Sequence, residues 1–259
     1  FINNKHHINF PEECVFGNAL AKVINTPKPQ PLNPEMPIVD VKAIREVVDN
    51  CKNGYLGLEE IRKLLDAAGI ARKIEVEVDK EEDAVAFARK AGYPLVMKVI
   101  GPIHKSDVGG VALNISDDET LVAEFRRMIQ IPQTTAILMQ PMLSGTQIFI
   151  GAKREGAFGH LVLCGLGGIF VETLKDISYS LAPVSQIEAD EMIRGLRSYK
   201  MLEGTRGQEG VNIAMFAEAI RRVSALCDAA PEIYEMDLNP LLGNSREVVA
   251  VDARIRIEK

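Results

Sequence analysis

The sequence has no Cys-x-x-Cys pair, although it contains four cysteines, Cys14, Cys51, Cys164 and Cys227. Scattered in this way they suggest neither a disulfide framework nor a zinc site, which points to a reducing compartment and a cytoplasmic protein. No apolar run approaches the ~20 residues needed to span a bilayer, and no signal-peptide pattern is present, so no membrane association is expected. Positive charge is not in excess either: 30 Lys and Arg against 36 Asp and Glu leave a formal net charge of -6. That argues against a general nucleic-acid binder, which needs a basic face, but leaves room for anion binding at a local lysine-rich site. Internal repeats and low-complexity tracts are missing as well. What is there is ordinary for a globular chain: 259 residues, 47% hydrophobic and 25% charged, enough for one large domain or two lobes.

The first forty residues differ from the rest. Five prolines between Pro27 and Pro37 rule out regular helix there, so residues 11–24 are expected as a short helix and 25–39 as an extended linker. His6 and His7 are adjacent, but a solvated tail explains them better than a metal site. From Asp40 the pattern tightens. Helices are expected over 40–52, with Ala43, Val47 and Val48 on one face, and over 57–70, with Leu58, Ile61, Leu64 and Leu65 as the stripe and Gly69 as the stop. A strand at 73–78, a helix at 81–92 and an apolar strand at 93–100 follow. Ser116 and Glu119 resemble a capping box opening a helix at 117–130. Strands are then expected at 135–140, 146–153, 160–164 and 177–182, helices at 186–198 and 212–229, and strands at 233–242 and 247–257. Helices and strands mix without strict βαβ alternation, which predicts an α+β fold in two lobes.

Four features carry chemistry. Lys98 is the one charge inside the apolar run Pro94–Ile100; such an ammonium must pair with a carboxylate or face a ligand such as phosphate. In the segment 101–113, Gly109 and Gly110 free the backbone to approach an anion, beside His104, Lys105 and Asp107. The spacing is not that of a P-loop. Gly165, Gly167 and Gly168 follow a strand without the dinucleotide-binding spacing; with Glu172, Lys175 and Asp176 behind them they read as a second anion-facing loop. His160 reads as structural. Last, Asp237, Asn239 and Asp252 supply oxygen ligands near the ends of two apolar strands. If those strands pair, Asn239 and Asp252 can face one ion, and Asp237 shares a strand face with Asn239. Polar residues beside a turn would give the same pattern.

Taken in order, Lys98, HKSDVGG at 104–110, GLGGIFVE at 165–172, LKD at 174–176, DLNPLL at 237–242 and VDARI at 251–255 resemble the ATP-grasp subunit or domain of ADP-forming acetyl-CoA synthetases. These are relatives of the succinyl-CoA synthetase beta subunit, and the resemblance runs from about Leu58 to Ile257. It implies a two-lobed ATP-grasp fold: residues 1–39 as the tail of an upstream domain and a Pro-rich linker, 40–138 as the N-terminal lobe with its leading helices, and 139–259 as the C-terminal lobe. With Phe1 rather than Met at its start, the chain is expected to be a fragment of a longer protein. The reaction implied is acyl-CoA, ADP and phosphate giving acid, CoA and ATP through phosphohistidine, with ATP or ADP and Mg2+ as cofactors. The resemblance makes His104 the histidine that receives the phosphoryl group and Asp237 the carboxylate that orients it. It makes Lys98 and Lys105 the phosphate neutralisers, with Gly109 and Gly110 in the phosphate loop, and Asn239 and Asp252 the metal ligands. It also implies CoA-binding and ligase domains, fused or in a separate alpha subunit, which bring CoA and the acyl substrate, and a homo-oligomer.

The chain departs from the family pattern at the hinge between lobes. Gln140-Pro141-Met142 stands where Gln-Glu-Met is usual, so an acid and one backbone donor are missing at the expected adenine contact. Gln147 replaces a usual Glu in the next strand. Both changes bear on nucleotide affinity and base preference, not on the fold. Two other functions fit the same residues: a regulatory ATP-grasp module of a protein acyltransferase, and another ligase of the succinyl-CoA synthetase type.

Overall fold

The computed structural model describes residues 10, 12–26, 35–102, 108–168, 175–204, 207 and 209–259. Two compact units divide the chain at Pro34. In the first, helix α1 (Glu13–Ile24) falls within the span expected from the sequence; it buries none of its residues, and Phe16 packs edge-on against Phe10 at 5.2 Å. Most of the proline-rich stretch, 27–34, lies outside the described residues.

The second unit, residues 35–259, holds two sheets. Helix α2 (Val41–Asn50) starts where the Asp40 carboxylate accepts the Ala43 N–H at 3.0 Å, and buries Ile44, Val47 and Val48; Ile44 takes the place expected for Ala43. After the short strand β1 (Gly54–Tyr55), helix α3 (Leu58–Ala68) buries Ile61, Leu64 and Leu65. It ends at Gly69 (φ 68°), where a Cβ would strike the Arg222 guanidinium. Then come β2 (Val76–Val78), α4 (Glu81–Ala91), β3 (Leu95–Ile100), β4 (Val111–Ile115), α5 (Asp118–Met128) and β5 (Ala136–Pro141). The four strands form an antiparallel sheet in the order β2-β5-β3-β4. Helices α4 and α5 cover one face, with a core of Leu95, Met97, Val99, Leu121, Phe125, Ile137 and Met139 among others.

The larger sheet comprises β6 (Thr146–Arg154), β7 (His160–Leu166), β8 (Ile177–Leu181), β9 (Ile233–Gly243), β10 (Val248–Ala250) and β11 (Ala253–Ile257), with β1 at its edge. Its order is β1-β11-β9-β6-β7-β8, and β10 also pairs with β9. Helices α6 (Gln186–Arg194), α7 (Tyr199–Leu202) and α8 (Ile213–Ala229) fill out the same lobe. The expected mixture of helices and strands, gathered into two lobes each with its own sheet and core, is what the chain adopts.

Several details differ from expectation, and three bear on the site and the cores. Helix α5 is capped by Asp117, not Ser116: the Asp117 carboxylate accepts the Thr120 N–H at 2.7 Å, and Ser116 donates to that carboxylate at 2.8 Å. A carboxylate is the stronger acceptor at a helix N-terminus, so it wins the cap by one residue. The last strand is broken at Val251 and Asp252 into β10 and β11. And the leading helices α2 and α3, expected with the N-terminal lobe, share one core with the large sheet. Ile44, Val48 and Leu64 pack there with Ile148, Phe216, Ile220, Leu238 and Ile255. The stripes that the helices expose need an apolar sheet face, and the small sheet has already filled its own with α4 and α5.

Leu64 is fully buried in the large-lobe core. Leu64→Ala is expected to cost about 2–5 kcal/mol in urea unfolding. Amide exchange should accelerate in α8 and β9–β11 while β3 and β5 keep their protection; equal loss in both sheets would contradict this division of cores.

Candidate functional site

The large sheet is covered by helices on one face, and alternation along its strands sends a second set of side chains to the other. Register fixes three rows across that open face. One runs Tyr179, Leu163, Gly151, Asp237, Arg254; the next, towards the strand break, runs Ile177, Gly165, Phe149 and then the Asn239 region; the third runs Leu181, Leu161, Lys153, Glu235, Arg256. The Phe149 ring lies over two glycines: a Cβ on Gly165 would meet it at 2.7 Å and one on Gly151 at 3.8 Å. Asp237 is thus flanked by a residue with no side chain on one strand and by a guanidinium-bearing residue on the other.

Asp237 is accessible at its tip yet crowded. Desolvation pushes its carboxyl above the usual aspartate range; Arg254 opposes this, and Asp252 and Glu235 add to it. The two-residue period expected to put Asp237 and Asn239 on one face is interrupted just beyond Leu238, where two residues of β9, 239 and 240, oppose one of β6. Asn239 and Asp252 meet across the strand break, where the Asn239 N–H donates to the Asp252 carbonyl at 3.2 Å. The Asn239 side-chain oxygen accepts the Gly168 N–H at 2.9 Å. Gly167 and Gly168 press on β6: the Gly167 N–H donates to the Gln147 carbonyl at 2.8 Å, and a Cβ on Gly167 would lie 2.5 Å from the Ile148 carbonyl oxygen. The glycine turn therefore fixes Gln147 and Asn239 side by side.

The small lobe reaches the same place. Lys98 is buried, and its ammonium donates to the Val251 carbonyl at 2.7 Å; Gln140 Nε2 reaches the same carbonyl at 3.4 Å. Lys98, Gln140, Asn239 and Asp252 thus converge at the break between β10 and β11. Met142 stands in the hinge as expected, but its N–H donates to the Pro94 carbonyl at 2.8 Å and is not free for a base. Gly109 (φ 66°) is exposed, whereas Gly110 is buried with its carbonyl accepting the Val99 N–H at 2.8 Å, which turns the chain back onto β3. His104, Lys105, Asp107 and Glu172 lie outside the described residues.

Two residues with charge or imidazole chemistry prove structural. The buried His160 donates from Nε2 to the Ile233 carbonyl at 2.7 Å. Asp176, expected in an anion-facing loop, accepts the N–H groups of Arg197 and Ser198 at 3.1 and 2.7 Å. Burial alone would raise its carboxyl, but these hydrogen bonds hold it below the usual range. The four cysteines are free thiols, and burial pushes Cys164 and Cys227 up to about 12. Sequence reading passed over Glu75, which joins the Gln140 amide to Arg62 (2.5 and 2.8 Å). Its only sequence signal is a charge before a short alternating strand.

For a divalent cation the donors here are hard oxygens, one carboxylate from Asp252 and one amide from Asn239. No cluster of three His, Cys, Asp or Glu is present among the described residues. That set suits Mg2+, which takes few protein ligands and leaves its remaining positions to phosphate and water.

A family model described as an ATP-grasp domain matches residues 48–257. The beta subunit of acetate–CoA ligase (ADP-forming) I from Pyrococcus furiosus is 38% identical over 83% of this chain and 98% of its own length. The 4-hydroxybutyrate–CoA ligase (ADP-forming) of Nitrosopumilus maritimus is 37% identical over 78% of this chain, which spans only 30% of that protein. Among solved structures, acetyl-coenzyme A synthetase 1 of Ca. Korarchaeum cryptofilum with coenzyme A and Ca-AMPCP has a TM-score of 0.77 at 34% identity, covering 84% of this chain and 99% of that one. The same synthetase has been solved with Mg-AMPPCP, its phosphohistidine segment pointing towards the nucleotide site, with a TM-score of 0.72 at 33% identity over 85% of this chain and 100% of that one.

The raised Asp237 carboxyl has a consequence for stability. Its contribution is complete below the ordinary pKa of unfolded aspartate and is lost as pH rises through the folded value. Asp237→Asn, with no charge to acquire, should be more stable than the wild type at neutral pH. The gain is held to about 1 kcal/mol or less because the carboxyl is accessible. The gap should close below about pH 4. Thermal unfolding of both proteins at the two pH values checks it; a less stable variant at neutral pH contradicts it.

Proposed function

The chain belongs to the ATP-grasp domain family, and from that membership we propose that it is the nucleotide-binding and phosphoryl-relay part of an ADP-forming acyl-CoA synthetase. The reaction is acyl-CoA, ADP and phosphate to acid, CoA and ATP. The observation that carries this reading is the convergence of Lys98, Gln140, Asn239 and Asp252 at the break after Ala250. Cation, amide and oxygen ligands are gathered there from two sheets, as a nucleoside polyphosphate requires.

Each residue has a role in that chemistry. Lys98, released from the Val251 carbonyl, neutralises phosphate oxygens, and Lys105 adds a second cation. Gly109 and Gly110 let the backbone approach the phosphates. Gln140 and Met142 border the base, and Gln147 lies beside the glycine turn. Asn239 and Asp252 would hold Mg2+, which would withdraw charge from the transferring phosphoryl group. His104 takes the phosphoryl group on a ring nitrogen from the relay histidine of the CoA-binding partner, one N–P bond breaking as the other forms, and passes it to the terminal phosphate oxygen of ADP, the second N–P bond breaking as the O–P bond forms. The accessible Asp237 carboxylate accepts the N–H of the other ring nitrogen and so fixes tautomer and orientation. The acyl and CoA chemistry belongs to a partner, separate or fused, as the beta-subunit and longer relatives suggest.

The protein, together with its CoA-binding partner in which the partner's own relay histidine has been removed, is incubated with labelled ATP and Mg2+. Acid-labile label should appear on this chain. His104→Ala should abolish it, and Asp237→Ala should slow its formation by roughly 10²–10⁴-fold. Undiminished labelling of His104→Ala refutes the relay role.

A further inference from the structure

The face of the small sheet turned away from α4 and α5 carries two rows of side chains. Register places Leu138 between Glu77 and Lys98, and pairs Gln140 with Val96 one row nearer the hinge. Glu75, just before β2, completes the hinge row through its contact with Gln140. Val96 and Leu138 are buried, yet neither belongs to the core of either sheet. They form an apolar patch beside the lysine.

Glu75 controls how Gln140 meets that floor. Its side chain is 9% exposed, and its two oxygens are divided: Oε1 accepts from Arg62 Nε at 2.8 Å, and Oε2 accepts from Gln140 Nε2 at 2.5 Å. The second neighbour of that Nε2, the Val251 carbonyl, is also an acceptor. A carboxylate paired with arginine and a backbone carbonyl can receive protons but not give them. Turning the amide over would set its oxygen against both, so Nε2 is committed to them and the Gln140 Oε1 is held as the acceptor offered to a ligand.

We infer that Glu75 is a specificity-determining positioning residue: by fixing the Gln140 amide it makes the base site accept adenine and reject guanine. The inference rests on the nucleotide-binding reading above. Adenine presents an exocyclic amino donor where guanine presents a carbonyl oxygen, so an acceptor that cannot turn over matches the first and repels the second. Were the amide free to rotate, Gln140 could satisfy either base. The hinge offers few donors for guanine's carbonyl oxygen, since Pro141 has no N–H and the Met142 N–H is spent on Pro94.

The test is calorimetric titration of the 259-residue chain with Mg-ADP and Mg-GDP, for the wild type, Glu75→Gln and Gln140→Met. The wild type should favour ADP by roughly tenfold to a hundredfold. In Glu75→Gln the new amide can donate to Gln140, so the ratio should fall towards unity through weaker ADP and stronger GDP binding; Gln140→Met should lose the ratio through ADP alone. Should Glu75→Gln not fold, the side-chain carbonyl carbon of Gln140 in the wild type gives the answer by NMR. It must shift on adding ADP and stay still with GDP. A Glu75→Gln protein that binds ADP with the wild-type ratio, or an unshifted Gln140 carbon, overturns the inference and leaves the nucleotide site intact. A wild type that binds neither nucleotide overturns the underlying reading and this one with it.

Discussion

One backbone carbonyl, that of Val251, holds the two lobes in the arrangement on which the site depends. It takes a 2.7 Å bond from the Lys98 ammonium and a longer one from Gln140. A lysine in the middle of an apolar strand is a costly buried charge unless acceptors reach it, and this carbonyl is one that does. A carbonyl is available there only because the strand is interrupted. Between β10 and β11 the chain leaves the ladder, and residue 251 turns its oxygen to the other sheet while Asp252 is set beside Asn239. The interruption therefore does two things at once, joining the lobes and exposing the oxygen ligands. A neutral acceptor suits the joining role. It satisfies the ammonium without cancelling its charge, so the lysine can be drawn to phosphate at modest cost.

The pattern of what could be read from sequence follows from range. Local signals were legible: the apolar stripes of the helices, Gly69 as a stop, and the isolation of Lys98 in its strand. Strand β4 was not, because Val111–Ile115 shows no alternation and contains Asn114 at φ 57°. Nor was the pairing of α2 and α3 with the far sheet, since a stripe states that a face must be buried and not where. Glu75 illustrates the same limit at the site. Its importance lies in Arg62 and Gln140, 13 and 65 residues away, and no local pattern encodes that meeting.

The open face of the large sheet owes its shape to glycine. Gly151 and Gly165 allow Phe149 to lie flat and be buried without a helix above it. From that ring outward the face divides. Towards β8 it carries Ile177, Tyr179 and Leu181, all exposed; towards β11 it carries Glu235, Arg254 and Arg256. Asp237 sits where the halves meet, near enough to apolar surface to lose solvation and near enough to arginine to keep its charge within reach. The same position accounts for its raised pKa and for its suitability as an orienting group.

The sharing of cores between distant segments also sets an order of assembly. The small sheet is built wholly from residues 76–141, so its contacts close within that one segment. The large one pairs β1 at residues 54–55 with β11 at residues 253–257, and helices α2 and α3 find their core only against strands at the far end of the chain. In kinetic language the small sheet is a local folding unit carried inside a slow, high-contact-order one. During synthesis the stripes of α2 and α3 stay without their sheet until β9, β10 and β11 emerge, and the β10–β11 break that forms the site is laid down only with them.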